Sequence, residues 1–262
     1  MRMPSIVELE RIAAAHWRGT EEEWFGDWLL RAGGGFTGRA NSALALGDPP
    51  LPLDAALAAV TGWYHSRGLP PQIAVPLSLD ASGARDELDA ELAARNWSVR
   101  PGVAFVMAAG LPLGGSRVGD AGDIGDRELR VSDEPDDGWL ATYHYRGAES
   151  LPAVAMRVLT SCEDQAFVSL RDGDDVLAIA RLSVAAGWAG ISAVEVHPDY
   201  RRRGLGIVIT AAACGVAESR GVPAVFLQTE VRNAAARALY ERIGFSYTHR
   251  YHYRLAPKSP GE

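Results

Sequence analysis

From Val194 to Gly206 the chain reads Val-Glu-Val-His-Pro-Asp-Tyr-Arg-Arg-Arg-Gly-Leu-Gly: an apolar strand, a proline turn, three arginines and a Gly-x-Gly that opens a helical run to Ser219. The chemistry this order suits is the holding of a pyrophosphate. A helix N-terminus leaves about four backbone N–H groups without intrahelical partners and carries roughly half a positive charge. Glycine at 204 and 206 removes side-chain bulk, so an anion can close on those N–H groups. Arg201, Arg202 and Arg203 supply charge-assisted donors beside them. Two other phosphate cradles are excluded. No third glycine follows at the spacing of a dinucleotide fold, with an acid ending the next strand, and the Gly-Lys-Ser/Thr of a nucleotide P-loop is absent.

A second group follows downstream. Asn233 precedes Tyr240 by seven residues, and Gly244-Phe245 comes after. Asparagine is a good helix N-cap, and seven residues make about two turns, so Asn233 and Tyr240 share a helix face. Gly244 suits a left-handed C-cap before a last strand. An unperturbed tyrosine is protonated at neutral pH and can donate a proton. Singly, Tyr240 reads as a core tyrosine and the arginine turn as a solvated one. In this order, about thirty residues apart, the two motifs carry more.

Together they resemble the GNAT superfamily of N-acetyltransferases. Its pyrophosphate motif, Arg/Gln-x-x-Gly-x-Gly/Ala, is matched by Arg201, Gly204 and Gly206, and its C-terminal signature by Asn233, Tyr240 and Gly244-Phe245. The likeness covers Glu128 to Leu255, and what it implies is specific. Acetyl-CoA would be the acyl donor, and the acetyl group would pass directly to a primary amine. The strand Val194, Glu195 and Val196 would pair with the acyl-CoA arm, the Val196 N–H polarising the thioester carbonyl. Arg201, Arg202, Arg203, Gly204, Leu205, Gly206 and Ile207 would wrap the pyrophosphate, and Asn233 would reach the pantetheine. Tyr240 would be the general acid toward sulfur. The base stays open between Glu195 and Glu230, either acting through water. Strand alternation turns Glu195 away from Val194 and Val196. His197, before Pro198, reads as a structural turn residue.

Composition narrows the setting. The 262 residues, 47% hydrophobic and 23% charged, are ordinary for a globular protein. A net charge of -7 and a pI near 5.4 argue against a nucleic-acid partner, because the arginine cluster is isolated. No apolar run reaches membrane-spanning length, and the acid-bearing opening lacks a signal-peptide core. Cys162 and Cys214 have no metal-ligand spacing and read as buried thiols, so no metal is expected. The expectation is a cytoplasmic monomer or homodimer.

The elements that must position these residues form an α/β (α+β) pattern in two halves: a tandem GNAT-like fold, with a mixed central sheet flanked by helices. The stretch between Ala108 and Asp126 is the richest in turn residues, which divides the chain into domain 1–110, linker 111–126 and domain 127–257. In the second domain, strand Glu128–Val131 precedes helices near Asp137–Tyr145 and Pro152–Thr160. Strands Ala166–Arg171, Val176–Val184 and Ile191–Val196 then pair antiparallel, the last two through Ala186-Gly187. Helix Leu205–Ser219, strand Ala224–Thr229, helix Ala234–Arg242 and strand Tyr247–Leu255 complete it. The first half echoes this order. Ser66-Arg67-Gly68-Leu69-Pro70 before strand Gln72–Val75 matches Ser219-Arg220-Gly221-Val222-Pro223, and Leu88–Ala94, Asn96-Trp97-Ser98 and strand Val103–Ala108 match the C-terminal unit. Leu92 then stands in the place of Tyr240, and no glycine-arginine cradle precedes Leu53, so the N-terminal domain reads as degenerate: a scaffold, or a wall of the acceptor site.

Within it, Trp28 to Ser42 resembles a segment of bacterial two-half GNAT proteins, some of them N-acetylglutamate synthases. That makes Arg31, Arg39 and Asn41 candidate substrate-binding residues. The arginines suit a carboxylate, or pair with Glu21–Glu23 on the surface. The acceptor is expected to be a small-molecule amine or an amino acid. A basic peptide or protein, a thiol-cofactor precursor of the mycothiol synthase kind, and a non-catalytic acyl-CoA sensor are the alternatives.

Overall fold

The computed structural model describes residues 2–80, 84–114, 125–143 and 151–257. Most of the expected linker 111–126, and the end of the helix expected to reach Tyr145, lie outside the described residues.

In the second half, β7 (Glu128–Ser132), β8 (Asp164–Asp172), β9 (Asp175–Ala185) and β10 (Trp188–Val196) form an antiparallel meander. Ala186 (φ 51°) and Gly187 (φ 75°) make the tight turn between the last two, both central residues left-handed as a twisted hairpin requires. Helix α6 (Leu205–Ser219) then returns the chain so that β11 (Ala224–Glu230) lies parallel to β10. Helix α7 (Ala234–Arg242) and β12 (Ser246–Leu255) follow. Helices α4 (Asp137–Thr142) and α5 (Ala155–Leu159) cross over between β7 and β8. The latter starts later than the sequence suggests, because Pro152 opens a turn that Ala155 N–H closes at 2.8 Å.

The first half repeats the later part of this course. Strands β1 (Glu21–Phe25), β2 (Trp28–Ala32) and β3 (Ala43–Ala45) lead into α2 (Leu53–His65), and β4 (Gln72–Leu77) lies parallel to β3. Helix α3 (Ala84–Ala94), the short β5 (Ser98–Val99) and β6 (Ala104–Gly110) follow. The echo extends to backbone detail. Gly68 (φ 64°) and Gly221 (φ 73°) follow α2 and α6, and Asn96 (φ 61°) and Gly244 (φ 104°) follow α3 and α7. Trp97 N–H donates to the Leu92 carbonyl at 3.0 Å, as Phe245 N–H does to that of Tyr240 at 2.9 Å.

One feature of the sheet is not legible from local pattern. The halves exchange their last strands: the order is β1-β2-β3-β4-β12-β6-β11-β10-β9-β8-β7, so β12 lies beside β4, and β6 beside β11. Each half is completed by the other, and residues of β12 become the floor of the first half. Helices α2 and α3 bury Leu57, Val60, Tyr64 and Leu92 on one face of the sheet, continuous with the face where α6 buries Ile209, Ala213 and Ala217. The opposite face carries α4, α5 and α1 (Ile6–His16). A capping box fixes the start of α1: Glu8 N–H donates to Ser5 Oγ at 3.3 Å, and Ser5 N–H donates to Glu8 Oε2 at 2.7 Å. Its Leu9, Ala13 and Ala14 pack over Val106, Phe226, Tyr251 and Tyr253, spanning the junction of the halves.

Candidate active site

The site begins where two strands part. β10 and β11 pair only at Ala189–Val225, Gly190–Phe226 and Ile191–Leu227. Between Ser192 and Glu195 the register of β10 against β9 shifts, and Ala193 takes φ 52°. Such a bulge bends its strand and is the kind of strained backbone that clusters at functional sites. Past it, β10 diverges from β11 and leaves a cleft of about 560 Å³ between the strand and helices α6 and α7. Val194 and Val196 line it, and Glu195 alternates to the opposite face of the sheet.

The cleft ends at the start of α6. Arg202 (φ 66°) and Gly204 (φ 80°) are both left-handed, so the turn is a concave array of backbone groups, and no side chain caps the helix at Gly204. At Gly204 a Cβ would meet nothing within 4 Å, whereas at Gly206 it would lie 2.7 Å from Leu239 Cδ1, so the second glycine also lets α6 approach α7. Arg201 lines the cleft and donates from Nε to the Val196 carbonyl at 3.0 Å, tying the turn back to the strand. Arg203 instead donates to the Asp199 carbonyl at 3.2 Å and stacks over Tyr200, outside the lining. His197 Nδ1 accepts from Asp199 N–H at 3.4 Å, a turn role as expected. Uncapped donors, a cationic rim and open space fit an acyl-CoA pyrophosphate.

Tyr240 closes the other side. Asn233 caps α7 through Oδ1, accepting from Ala236 N–H at 3.1 Å, and two turns later Tyr240 reaches the cleft. Its ring is buried against Phe245, and desolvation pushes its hydroxyl well above the ordinary tyrosine value, which keeps it protonated. Among the described residues no hydrogen-bond partner meets that hydroxyl. Arg242, in the last turn of α7, also lines the cleft; the sequence singled out nothing there, since the tyrosine motif stops two residues earlier.

The first half contains the counterpart cleft, about 400 Å³, and its chemistry is different. Asp48, Pro49, Leu51 and Leu53 line it, no arginine does, and Pro52 occupies the N-cap of α2. A carboxylate and prolines in place of free N–H groups make no anion seat.

On the face of α1, a smaller cavity of about 160 Å³ lies between the halves. Arg39 and Arg100 come from the first half, Gln228 and Glu230 from β11, and Tyr251 and Tyr253 from the exchanged β12. Gln228 Oε1 accepts from Arg39 Nη1 at 2.9 Å and from the Tyr251 hydroxyl at 3.1 Å. Glu230 pairs with Arg232 at the mouth. Arg31 is buried next door, donating to the Ser42 carbonyl and Oγ at 3.2 and 3.0 Å. Neither Arg31 nor Arg39 pairs with Glu21, Glu22 or Glu23, which are taken by Arg67, Arg18 and Trp63. Asn41 takes another role. Its Oδ1 accepts from Gly33 and Gly35 N–H, and its Nδ2 donates to the Phe36 and Thr37 carbonyls, all at 2.8 Å. These four bonds use the amide's capacity and shape the Gly33–Thr37 loop. Gln228, Arg100, Tyr251 and Tyr253 escaped sequence reasoning because only the strand exchange brings them together.

Cys162 and Cys214 are free and buried, and burial pushes the Cys214 thiol up to about 12. Among the described residues no group of His, Cys, Asp and Glu is placed to hold a metal, and no helix is long and apolar enough to cross a membrane.

A bulged strand parting from its parallel neighbour above an uncapped Gly-x-Gly helix defines a GNAT-superfamily N-acetyltransferase, here in tandem form. Residues 4–254 match the family described as "Probable histone acetyltransferase Rv0428c C-terminal", and the chain belongs to that family. It is similar to the uncharacterized N-acetyltransferase YobR of Bacillus subtilis, 29% identical over 97% of this chain and 99% of that one. It is also similar to the probable histone acetyltransferase Rv0428c of Mycobacterium tuberculosis, 31% identical over 97% of this chain and 74% of the relative. Among solved structures, a GCN5-related N-acetyltransferase from Kribbella flavida shares the fold at TM-score 0.66 and 15% identity, covering 97% and 94% of the two chains. A tandem GNAT protein from the clavulanic acid biosynthesis pathway does so at TM-score 0.61 and 14% identity, covering 90% and 79%. The chain is an acyltransferase.

Proposed function

We propose that this protein moves an acetyl group from acetyl-CoA directly to the primary amine of a small molecule or amino acid. The observation that carries the reading is one cleft lined by the parted strand at Val194 and Val196, the uncapped start of α6 and Tyr240. When bound, acetyl-CoA supplies an acyl group activated as a thioester. Backbone N–H groups from Arg202 to Ile207, with Arg201, hold the pyrophosphate. The Val196 N–H polarises the thioester carbonyl, Asn233 lies along the pantetheine, and Tyr240 delivers a proton to the departing sulfur. The acceptor enters from the α1 face through the parting of β10 and β11. Glu195 takes the amine proton through water, with Glu230 at the end of β11 as the alternative base. Arg203 and Asn41 serve the scaffold in this reading. Thiol release measured across amino acids, polyamines, aminoglycosides and peptides tests it. No turnover of any amine, with acetyl-CoA bound, would leave a sensor instead.

A protein substrate is the rival. The Mycobacterium relative's name points to basic proteins, and the net charge of -7 suits them. Preferred turnover of lysine-rich peptides in the same assay would select it.

A further inference from the structure

Four arginines cluster under α1, and the carboxylates beside them, Glu10 and Glu230, are bonded to other partners. Arg31 is 4% exposed and Arg181 0%, and among the described residues neither they nor Arg39 or Arg100 forms an ion pair. Their partners are neutral. Arg181 donates to the Leu159 and His16 carbonyls at 2.6 and 3.1 Å, and to Gln165 Oε1 at 3.2 Å. Arg39 and Arg181 flank the Trp17 indole at 4.5 and 5.3 Å. Arg100 lies over Tyr253 at 4.2 Å and donates to Gln72 Oε1 at 2.8 Å, while its buried Nε has no hydrogen-bond partner. Buried charge is costly unless paired. The nearest buried carboxylate, Glu10, is bonded to His249 Nε2 at 2.7 Å.

Resting on the acetyltransferase reading above, we infer that the acceptor is an amine that also bears a carboxylate, held by Arg39 and Arg100 in the cavity between the halves. These two guanidiniums line it, and Arg31 and Arg181 behind them keep the local potential positive. The volume of about 160 Å³ suits an amino-acid-sized molecule. With its carboxylate on the arginines, the acceptor turns its amine toward Glu230 and the parted strands. A polyamine or a lysine side chain would place cation against cation.

The test is steady-state transfer by the full chain to matched acceptors: free amino acids, their α-amides and the corresponding decarboxylated amines. Charge-assisted hydrogen bonds predict a kcat/KM about 10- to 100-fold higher for the carboxylates. Arg39→Gln and Arg100→Gln should each raise the carboxylate KM by a similar factor, leave the acetyl-CoA Kd within about twofold and erase the preference over amides. Arg100→Lys keeps charge but loses the fork geometry, so it should recover part of the preference if either glutamine variant folds poorly. Equal use of amides, or preference for polyamines or lysine peptides, overturns the inference while leaving the acetyltransferase reading intact. Absence of acetyl-CoA binding to the wild-type chain would sink both.

Discussion

Replacing Tyr240 with phenylalanine isolates the contribution of one oxygen atom. The ring is 7% exposed and packs 5.8 Å from Phe245, and phenylalanine keeps both contacts. The hydroxyl meets no hydrogen-bond partner among the described residues, so its loss strands no polar group, and stability should move by no more than about 0.5 kcal/mol. The chemical step should respond very differently. General acid catalysis is worth about 10²–10⁴-fold, or roughly 2.7–5.4 kcal/mol of barrier, so kcat should fall by that factor. Acetyl-CoA affinity should stay within about threefold, because cofactor binding rests on the backbone of the α6 start. The assay is single-turnover thiol release beside calorimetric titration of acetyl-CoA, with Tyr247→Phe as control. Tyr247 stacks edge-on with Phe105 at 4.7 Å, outside the cleft lining, and its variant should be nearly silent. A Tyr240→Phe enzyme with a near-normal single-turnover rate would refute the proton-donor role and leave water as the source.

Gly206→Glu places a carboxylate in the anion seat and a Cβ 2.7 Å from Leu239 Cδ1, so acetyl-CoA affinity should fall at least about 100-fold by calorimetry, with about 1–3 kcal/mol of stability lost to overpacking. Arg203→Gln should weaken acetyl-CoA by less than about threefold, and clearly less than Arg201→Gln, because Arg203 is spent on Asp199 and Tyr200; equal losses would put Arg203 on the pyrophosphate. His16, with Nδ1 2.9 Å from Ser183 Oγ, is held neutral by burial, its pKa lowered from 6.5 to about 4. The unfolded chain therefore binds the extra proton between about pH 4 and 6.5, and stability should rise with pH across that window by up to about 3 kcal/mol. His16→Gln should flatten this slope in chemical denaturation series, and an unchanged slope would assign it to other groups.

What the sequence revealed and what it hid divide along the range of the interactions. The Gly204-x-Gly206 turn, the Asn233 cap and the Gly244 stop are set by neighbours along the chain, and their residue types name their geometry. The echo of Gly68 in Gly221 and of Asn96 in Gly244 was visible for the same reason. The Ala193 bulge was not, since an alanine in an apolar run carries no sign of left-handed backbone. The exchange of β6 and β12 depends on which edges meet in space, so Tyr251 and Tyr253 under Arg39 could not be read from spacing. Asn41 shows the converse: a polar residue in a suggestive motif, wholly used by its own loop. Helix α1 belongs with the local features, its start written in the Ser5-x-x-Glu8 capping box.

The most direct measurement is a crystal structure of the full chain with coenzyme A. The pyrophosphate should lie on the N–H groups from Arg202 to Ile207, the pantetheine against Val194–Val196, and the sulfur within hydrogen-bond reach of the Tyr240 hydroxyl. Coenzyme A bound instead in the Asp48–Leu53 cleft of the first half, or with its sulfur remote from Tyr240, would contradict the assignment of the active site.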